Sequence, residues 1–207
     1  WTGYREAHFR SVRYVLDRQV AAGRWIAANT PADARVATHL PGAVSYYGNR
    51  NLLDFTGKLT PSVTEYMNSM AQLVAEIRRS KVTYVAARRD EFEVVNANPV
   101  FTSDPAQPGV MEVFAYVPGR THLMSQTASA LNAEAVRLMG QRRWSEAAAV
   151  LQQSFEADPY SCRTNTLYGI AVLQQGDTGN ARTYLSQALL LHAEYAPAMV
   201  PLGDILV

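Results

Sequence analysis

A chain of 207 residues with 48% hydrophobic content is long enough for one large or two small folded domains. With 19 basic and 18 acidic side chains the net charge is +1, which supplies no general field to draw in nucleic acid. One cysteine, Cys162, excludes an internal disulfide and a thiolate-rich zinc cluster, and no apolar run is long enough to span a bilayer.

The chain begins at Trp1 and shows no signal-peptide pattern, so it is expected to be a segment or a processed product of a larger protein. Residues 3–28 read as one amphipathic helix, with Phe9, Val12, Leu16, Val20 and Ile26 near the helical period. Arg5, Arg10, Arg13, Arg18 and Arg24 outnumber Glu6 and Asp17 there; the alternatives are contact with anionic head groups or an ordinary solvated face. Asn29-Thr30-Pro31 ends this helix. Residues 34–38 read as a strand, followed by a loop at Pro41-Gly42, and 51–55 as a second strand. Thr60-Pro61-Ser62 precedes a helix over about 63–79, with Met67, Met70, Leu73, Val74 and Ile77 on its apolar side.

Val82 to Ala87 is the clearest strand, apolar and β-branched enough for a central position, and Val110 to Val117 alternates as another after a loop at 105–109. Strands alternating with helices predict an α/β fold, a small sheet covered by helices, over residues 1–122.

From residue 126 to 207 the chain aligns on itself at an offset of 34. Ala135 falls on Gly169, Leu138 on Val172, Ala147 on Ala181, Leu151 on Leu185, Ser154 on Ala188 and Phe155 on Leu189. A third copy begins at Ala196, with Gly203 and Leu206 continuing the first two series. Small residues at these positions let paired antiparallel helices approach closely. Turns fall near Arg142 and Gly176, and Asp158-Pro159 terminates the second helix of the first pair. In period, small-residue positions and Asp-Pro ending, this segment resembles the tetratricopeptide repeat family, with about two and a half repeats. The resemblance implies an all-α helical repeat that binds peptides or partner proteins. The alternative is that so short an array merely caps the preceding domain.

A second resemblance rests on His39-Leu40-Pro41-Gly42-Ala43-Val44-Ser45-Tyr46-Tyr47-Gly48-Asn49-Arg50-Asn51-Leu52-Leu53-Asp54-Phe55-Thr56-Gly57, strengthened by Trp25 to Val36. Over residues 20–61, and diffusely to about 120, the chain is similar to the soluble C-terminal domains of bacterial polytopic glycosyltransferases. These are the enzymes like dolichyl-phosphate mannosyltransferases and aminoarabinose transferases. Leu40 departs from the family, standing where an acidic residue is common. The resemblance implies an extracytoplasmic, extramembranous and non-catalytic region that positions a lipid-linked sugar, an acceptor or a protein partner. The reacting acidic residues of such enzymes are expected between transmembrane helices.

The candidate binding residues are His39, Tyr46, Arg50 and Asp54, expected to gather at one edge of the sheet. His39 follows the first strand, where open α/β sheets place ligands, and Arg50 offers a donor fork suited to phosphate. Each has a structural alternative. His39 could be bonded in a turn, Arg50 could pair with Asp54, Asp54 could cap the turn before Gly57, and Tyr46 with Tyr47 could be packing. The four histidines, 8, 39, 122 and 192, lack ligand spacing, so no metal site or cofactor is expected. No phosphate loop, nucleophile elbow or zinc-protease motif occurs, so the chain alone is expected to catalyse nothing. A freestanding tetratricopeptide interaction module with an α/β scaffold domain is the alternative to the membrane glycosyltransferase reading.

Overall fold

The computed structural model describes residues 12–13, 15–59, 70–106 and 109–206. The chain forms two compact units, one of Trp1–Asn68 with Ala75–Pro118, the other of Ser69–Val74 with Gly119–Val207. No described helix is long and apolar enough to cross a membrane.

In the first unit a π-helical turn, Val15–Val20, runs into helix α1, Ala21–Asn29. The helix ends where Thr30 caps it, its N–H and hydroxyl both donating to the Ile26 carbonyl at 3.1 and 2.7 Å. Strand β1, Arg35–Thr38, is followed by helix α2, Pro41–Gly48, and strand β2, Asn51–Asp54. After helix α3, Met70–Arg79, of which the part from Ala75 on belongs to this unit, come β3, Tyr84–Arg88; β4, Phe92–Val95; β5, Pro99–Thr102; and β6, Met111–Ala115. Five of these strands form one mixed sheet in the order β2-β1-β3-β6-β5. Strand β1 runs parallel to β2 and β3, whereas β6 runs antiparallel to β3 and β5. The core joins Ala22 and Ile26 of α1 and Val44 of α2 to Val36, Ala86, Met111 and Val113 of the sheet. Trp25 stacks on Phe101 with ring centroids 5.6 Å apart.

Several expectations change. The loop placed at Pro41-Gly42 is a helix, because proline in the first turn loses no hydrogen bond there and its fixed φ suits the helix. Gly23 makes the crossing of α1 and α2 possible: a Cβ there would sit 3.0 Å from the Ala43 carbonyl oxygen and the Tyr47 Cβ. Strand β5 lies at the sheet edge and starts at Pro99, where the missing N–H removes no ladder bond, so an unpromising sequence still pairs. The single helix read over 3–28 is divided by the π-helical turn, and its part before residue 12 lies outside the described residues. Residues 63–69, with Met67, also lie outside them. The remaining strands fall within the expected spans at 34–38, 51–55, 82–87 (shifted to end at Arg88) and 110–117.

The second unit contains a short extended segment, β7, His122–Ser125, and then only helices. Ser125 caps helix α4, Gln126–Gly140, by accepting from the Ala128 N–H. Helices α5, Trp144–Ala157; α6, Cys162–Leu173; α7, Thr178–Leu191; and α8, Ala196–Leu206, complete it. Helices α4 with α5 and α6 with α7 are two hairpins in the expected register. Ala147 and Ala181 are both fully buried. The equivalent turn positions Arg142 and Gly176 share a left-handed backbone, with φ of 59° and 86°.

Ala181 sits where α7 meets α6: its carbonyl oxygen would lie 3.3 Å from a Cβ on Gly169. Ala181→Leu inserts three carbons into that contact and is expected to destabilise by roughly 1–3 kcal/mol. Unfolding in urea measures this. An unchanged midpoint would contradict the packing register.

Candidate functional site

In the first unit the strand order 2-1-3 makes the carboxyl ends of β1 and β3 the point where the chain reverses its direction of winding. Open α/β sheets place ligands in the crevice at such a point. His39 follows β1 directly and Asp54 ends β2, so the parallel strands carry both to the same end of the sheet. The end of β3 and the turn after it add Arg88, Asp90 and Glu91.

His39 is 4% exposed, with its ring packed against Phe55 and Phe92 at centroid distances of 5.7 and 5.0 Å. Its Nε2 lies 2.9 Å from Oε2 of Glu91, but neither ring nitrogen makes a hydrogen bond. Burial, and then the charge of Arg88, push its pKa down from the ordinary 6.5 to about 4; Asp90 and Asp54 oppose this and Lys58 assists it. Glu91 would favour the imidazolium, but Arg88 forms ion pairs with both Glu91 and Asp90 and so offsets that carboxylate. His39 is therefore a neutral, enclosed imidazole at neutral pH. Arg88, hydrogen-bonded to Asp90, holds the Asp90 carboxyl below its ordinary value.

Asp54 is fully buried and accepts the Thr56 N–H at 2.8 Å, the Thr56 hydroxyl at 2.6 Å and the Leu59 N–H at 2.6 Å. These bonds organise the turn that follows β2 and make Asp54 a turn-capping carboxylate.

Arg50 and Tyr46 are elsewhere, so the expected gathering of four residues at one edge is corrected. The segment between β1 and β2 contains α2, and its crossover returns the chain to the opposite end of the sheet before β2 starts. Arg50 is at that opposite end. Its guanidinium donates to the carbonyls of Ala27 at 2.7 Å, Thr30 at 2.8 Å and Asn49 at 3.0 Å, and to the Thr30 hydroxyl at 3.1 Å. It satisfies the open carbonyl end of α1, a favourable place for a cation. Arg50→Ala is expected to destabilise the chain by roughly 2–4 kcal/mol, and Arg50→Lys to recover less than half, because an ammonium cannot reproduce the fork. Thermal unfolding of both variants checks this; equal stability of wild type and Arg50→Ala would contradict the capping role. Tyr46 is 80% exposed on α2, edge-to-face with Tyr47 at 5.0 Å. Arg24 lies 5.4 Å above the Tyr47 ring.

The second unit buries polar groups that sequence reading left unmarked. Asn132 of α4, Ser154 of α5 and Thr164 of α6 are fully buried and bonded together. Asn132 Nδ2 donates to Thr164 Oγ1 at 2.9 Å, and Ser154 Oγ donates to Asn132 Oδ1 at 3.0 Å. Beside them His122 Nε2 lies 2.6 Å from Oδ2 of Asp158. Ser154 falls on the apolar Ala188 in the repeat alignment, and that mismatch was the one available signal of the cluster. The charged run Arg88 to Glu91 directly after an apolar strand was the corresponding signal at the sheet end. Among the described residues no group of three His, Cys, Asp or Glu side chains could hold a metal ion. Apolar side chains exposed on the repeat include Val136 at 46%, Met199 at 44%, Val200 at 68% and Leu206 at 57%.

Two solved structures similar to the chain are the first and the second TPR domains of Spaghetti (RPAP3), each bound to the HSP90 peptide SRMEEVD. Identities are 22% and 19%, and the TM-score is 0.38 for both. Each match covers 39% of this chain, with 64% of the first relative's chain and 74% of the second's. The chain thus spans less than two thirds of the first of these relatives. Among curated proteins none matches the sequence. A family model matches residues 5–159, a span that takes in the sheet unit and the first helical hairpin through its Asp-Pro ending, and the chain belongs to that family, described as a domain of unknown function (DUF8728).

Proposed function

We propose that this chain is a non-catalytic protein-interaction module, in which the helical repeat holds a partner polypeptide and the α/β unit is the scaffold. One observation carries the reading. The first helices of the first and third repeats, α4 and α8, present Val136, Met199 and Val200 to solvent, while the titratable groups of the sheet end are enclosed or engaged in ion pairs. Apolar side chains left exposed in a folded array are what a partner would bury. A photo-crosslinking residue at 136, in cells that make the protein, is expected to capture a discrete partner that the same residue on α2 does not. Capture of nothing beyond background from position 136 would overturn the reading.

We further infer that the chain is the extramembranous region of a bacterial membrane glycosyltransferase-like protein on the extracytoplasmic face, positioning a lipid-linked sugar, an acceptor or a partner. The resemblance over residues 20–61 supports this. The gene product is then expected to carry several hydrophobic spans before Trp1, and the purified chain to turn over no lipid-phosphate sugar. A soluble domain in place of the spans, or turnover by the chain alone, would overturn it.

A further inference from the structure

Where α1 and α2 cross, two rings and a guanidinium rise from a low base. Tyr46 of α2 is 80% exposed, more than any other aromatic side chain among the described residues. It meets Tyr47 edge-to-face at 5.0 Å, and Tyr47 carries the Arg24 guanidinium of α1 over its ring at 5.4 Å. The neighbouring positions on α2 are small, with Gly42, Ala43 and Ser45.

Arg24 differs from the anchored arginines of the chain. Arg35 and Arg50 are held on carbonyl oxygens, and Arg88, Arg89 and Arg143 on carboxylates. Arg24 instead rests on a ring face, a contact that occupies none of its N–H donors. Neither α1 nor α2 contains an acidic residue that could take them. A guanidinium with its donor fork open is matched to phosphate, and its charge to a negative surface. Tyrosine has an apolar body and a polar tip, which suits the depth where acyl chains meet head groups. A protein partner must supply a pocket for each raised side chain. A head-group layer closes around all of them.

Resting on the membrane reading above, we propose that the α1–α2 face is a docking surface for an anionic lipid bilayer. Arg24 donates to head-group phosphates, Tyr46 inserts its ring at head-group depth, and Tyr47 supports the guanidinium through its ring face. A net charge of +1 gives the whole chain little general attraction to lipid, so the contact depends on this local patch.

The test is flotation of the whole chain with vesicles of phosphatidylglycerol and phosphatidylcholine, against vesicles of phosphatidylcholine alone. The chain is expected to float with the anionic vesicles, less so in high salt, and not with the neutral ones. Arg24→Gln and Tyr46→Ser are each expected to lower the partition coefficient about fivefold, with the chain still folded by circular dichroism. Lys81→Gln removes the same charge from the turn after α3 and is expected to have no such effect. No flotation with anionic vesicles would overturn the proposal. So would an equal loss in Lys81→Gln, or full binding by the Arg24→Gln and Tyr46→Ser chains. A protein captured by a photo-crosslinker at position 46, with no vesicle bound, would give the face to a protein partner and overturn it as well. Hydrophobic spans before Trp1 without vesicle binding would remove this surface and leave the membrane reading standing. Vesicle binding by a gene product without such spans would keep the surface and remove that reading.

Discussion

His122→Ala is expected to cost the chain roughly 2–4 kcal/mol, the scale of leaving a buried charged acceptor without its hydrogen-bond partner. The imidazole and Asp158 are 5% and 0% exposed, with Nε2 and Oδ2 2.6 Å apart. Asp158 stands at the C-terminal end of α5, where its N–H bonds the Ser154 carbonyl and the helix dipole presents negative charge. A carboxylate is poorly placed there. The imidazole beside it is the compensation, and Oδ1 of the same carboxylate has no hydrogen-bond partner that could take over. Without the imidazole the carboxylate is left buried with no side-chain partner, which costs free energy. Asp158→Asn introduced into the His122→Ala chain should restore part of the loss, because a neutral amide tolerates the site better. Urea unfolding of the four chains gives the coupling directly. A loss under about 0.5 kcal/mol for His122→Ala would show that the pair is not an energetic unit.

The helical part was legible because a repeat is read by comparing the chain with itself. Ala135, Gly169 and Gly203 share one position, and close approach of two helices permits few side chains there. The sheet was legible where a strand is buried on both faces, as at Val85 and Ala86. It was not where pairing is decided by a neighbour. Phe92–Val95 and Pro99–Thr102 have no strong alternation, and β5 owes its conformation to the ladder offered by β6. The candidate site failed for a topological reason. The stretch between the strands at 34–38 and 51–55 reads as a loop in the sequence, which would let the return strand bring Arg50 and Asp54 to the edge that holds His39. A helix inserted between parallel strands instead separates them by the length of β2, leaving Asp54 at the end with His39 and Arg50 at the other. The partners of His39 are Glu91 and the Arg88 charge, over 48 residues away in sequence, and no spacing rule connects them to it.

That enclosed imidazole gives the second large effect, a loss of stability in mild acid. The folded chain holds His39 near pKa 4, through burial first and the Arg88 charge second, whereas the unfolded chain titrates it near 6.5. Above pH 6.5 both states are neutral and the contribution is flat. Between 6.5 and 4 the unfolded state binds the proton and the folded state does not, so stability falls as pH falls. Below about 4 both states are protonated and the loss is complete, at roughly 2–4 kcal/mol for a shift of this size. Carboxylates such as Asp90 also titrate toward the lower end of this window, so the measurement must isolate the histidine. His39→Gln keeps a polar side chain of similar length but cannot titrate, and its unfolding free energy should lack the part of the slope between pH 6.5 and 5, where the carboxylates are still ionised. Parallel stability–pH curves for the two chains over that interval would mean that the imidazole is protonated in the folded state. It would then be held as a cation against Glu91, and the end of the sheet at β1 and β3 would carry a buried charge pair rather than a neutral ring between Phe55 and Phe92.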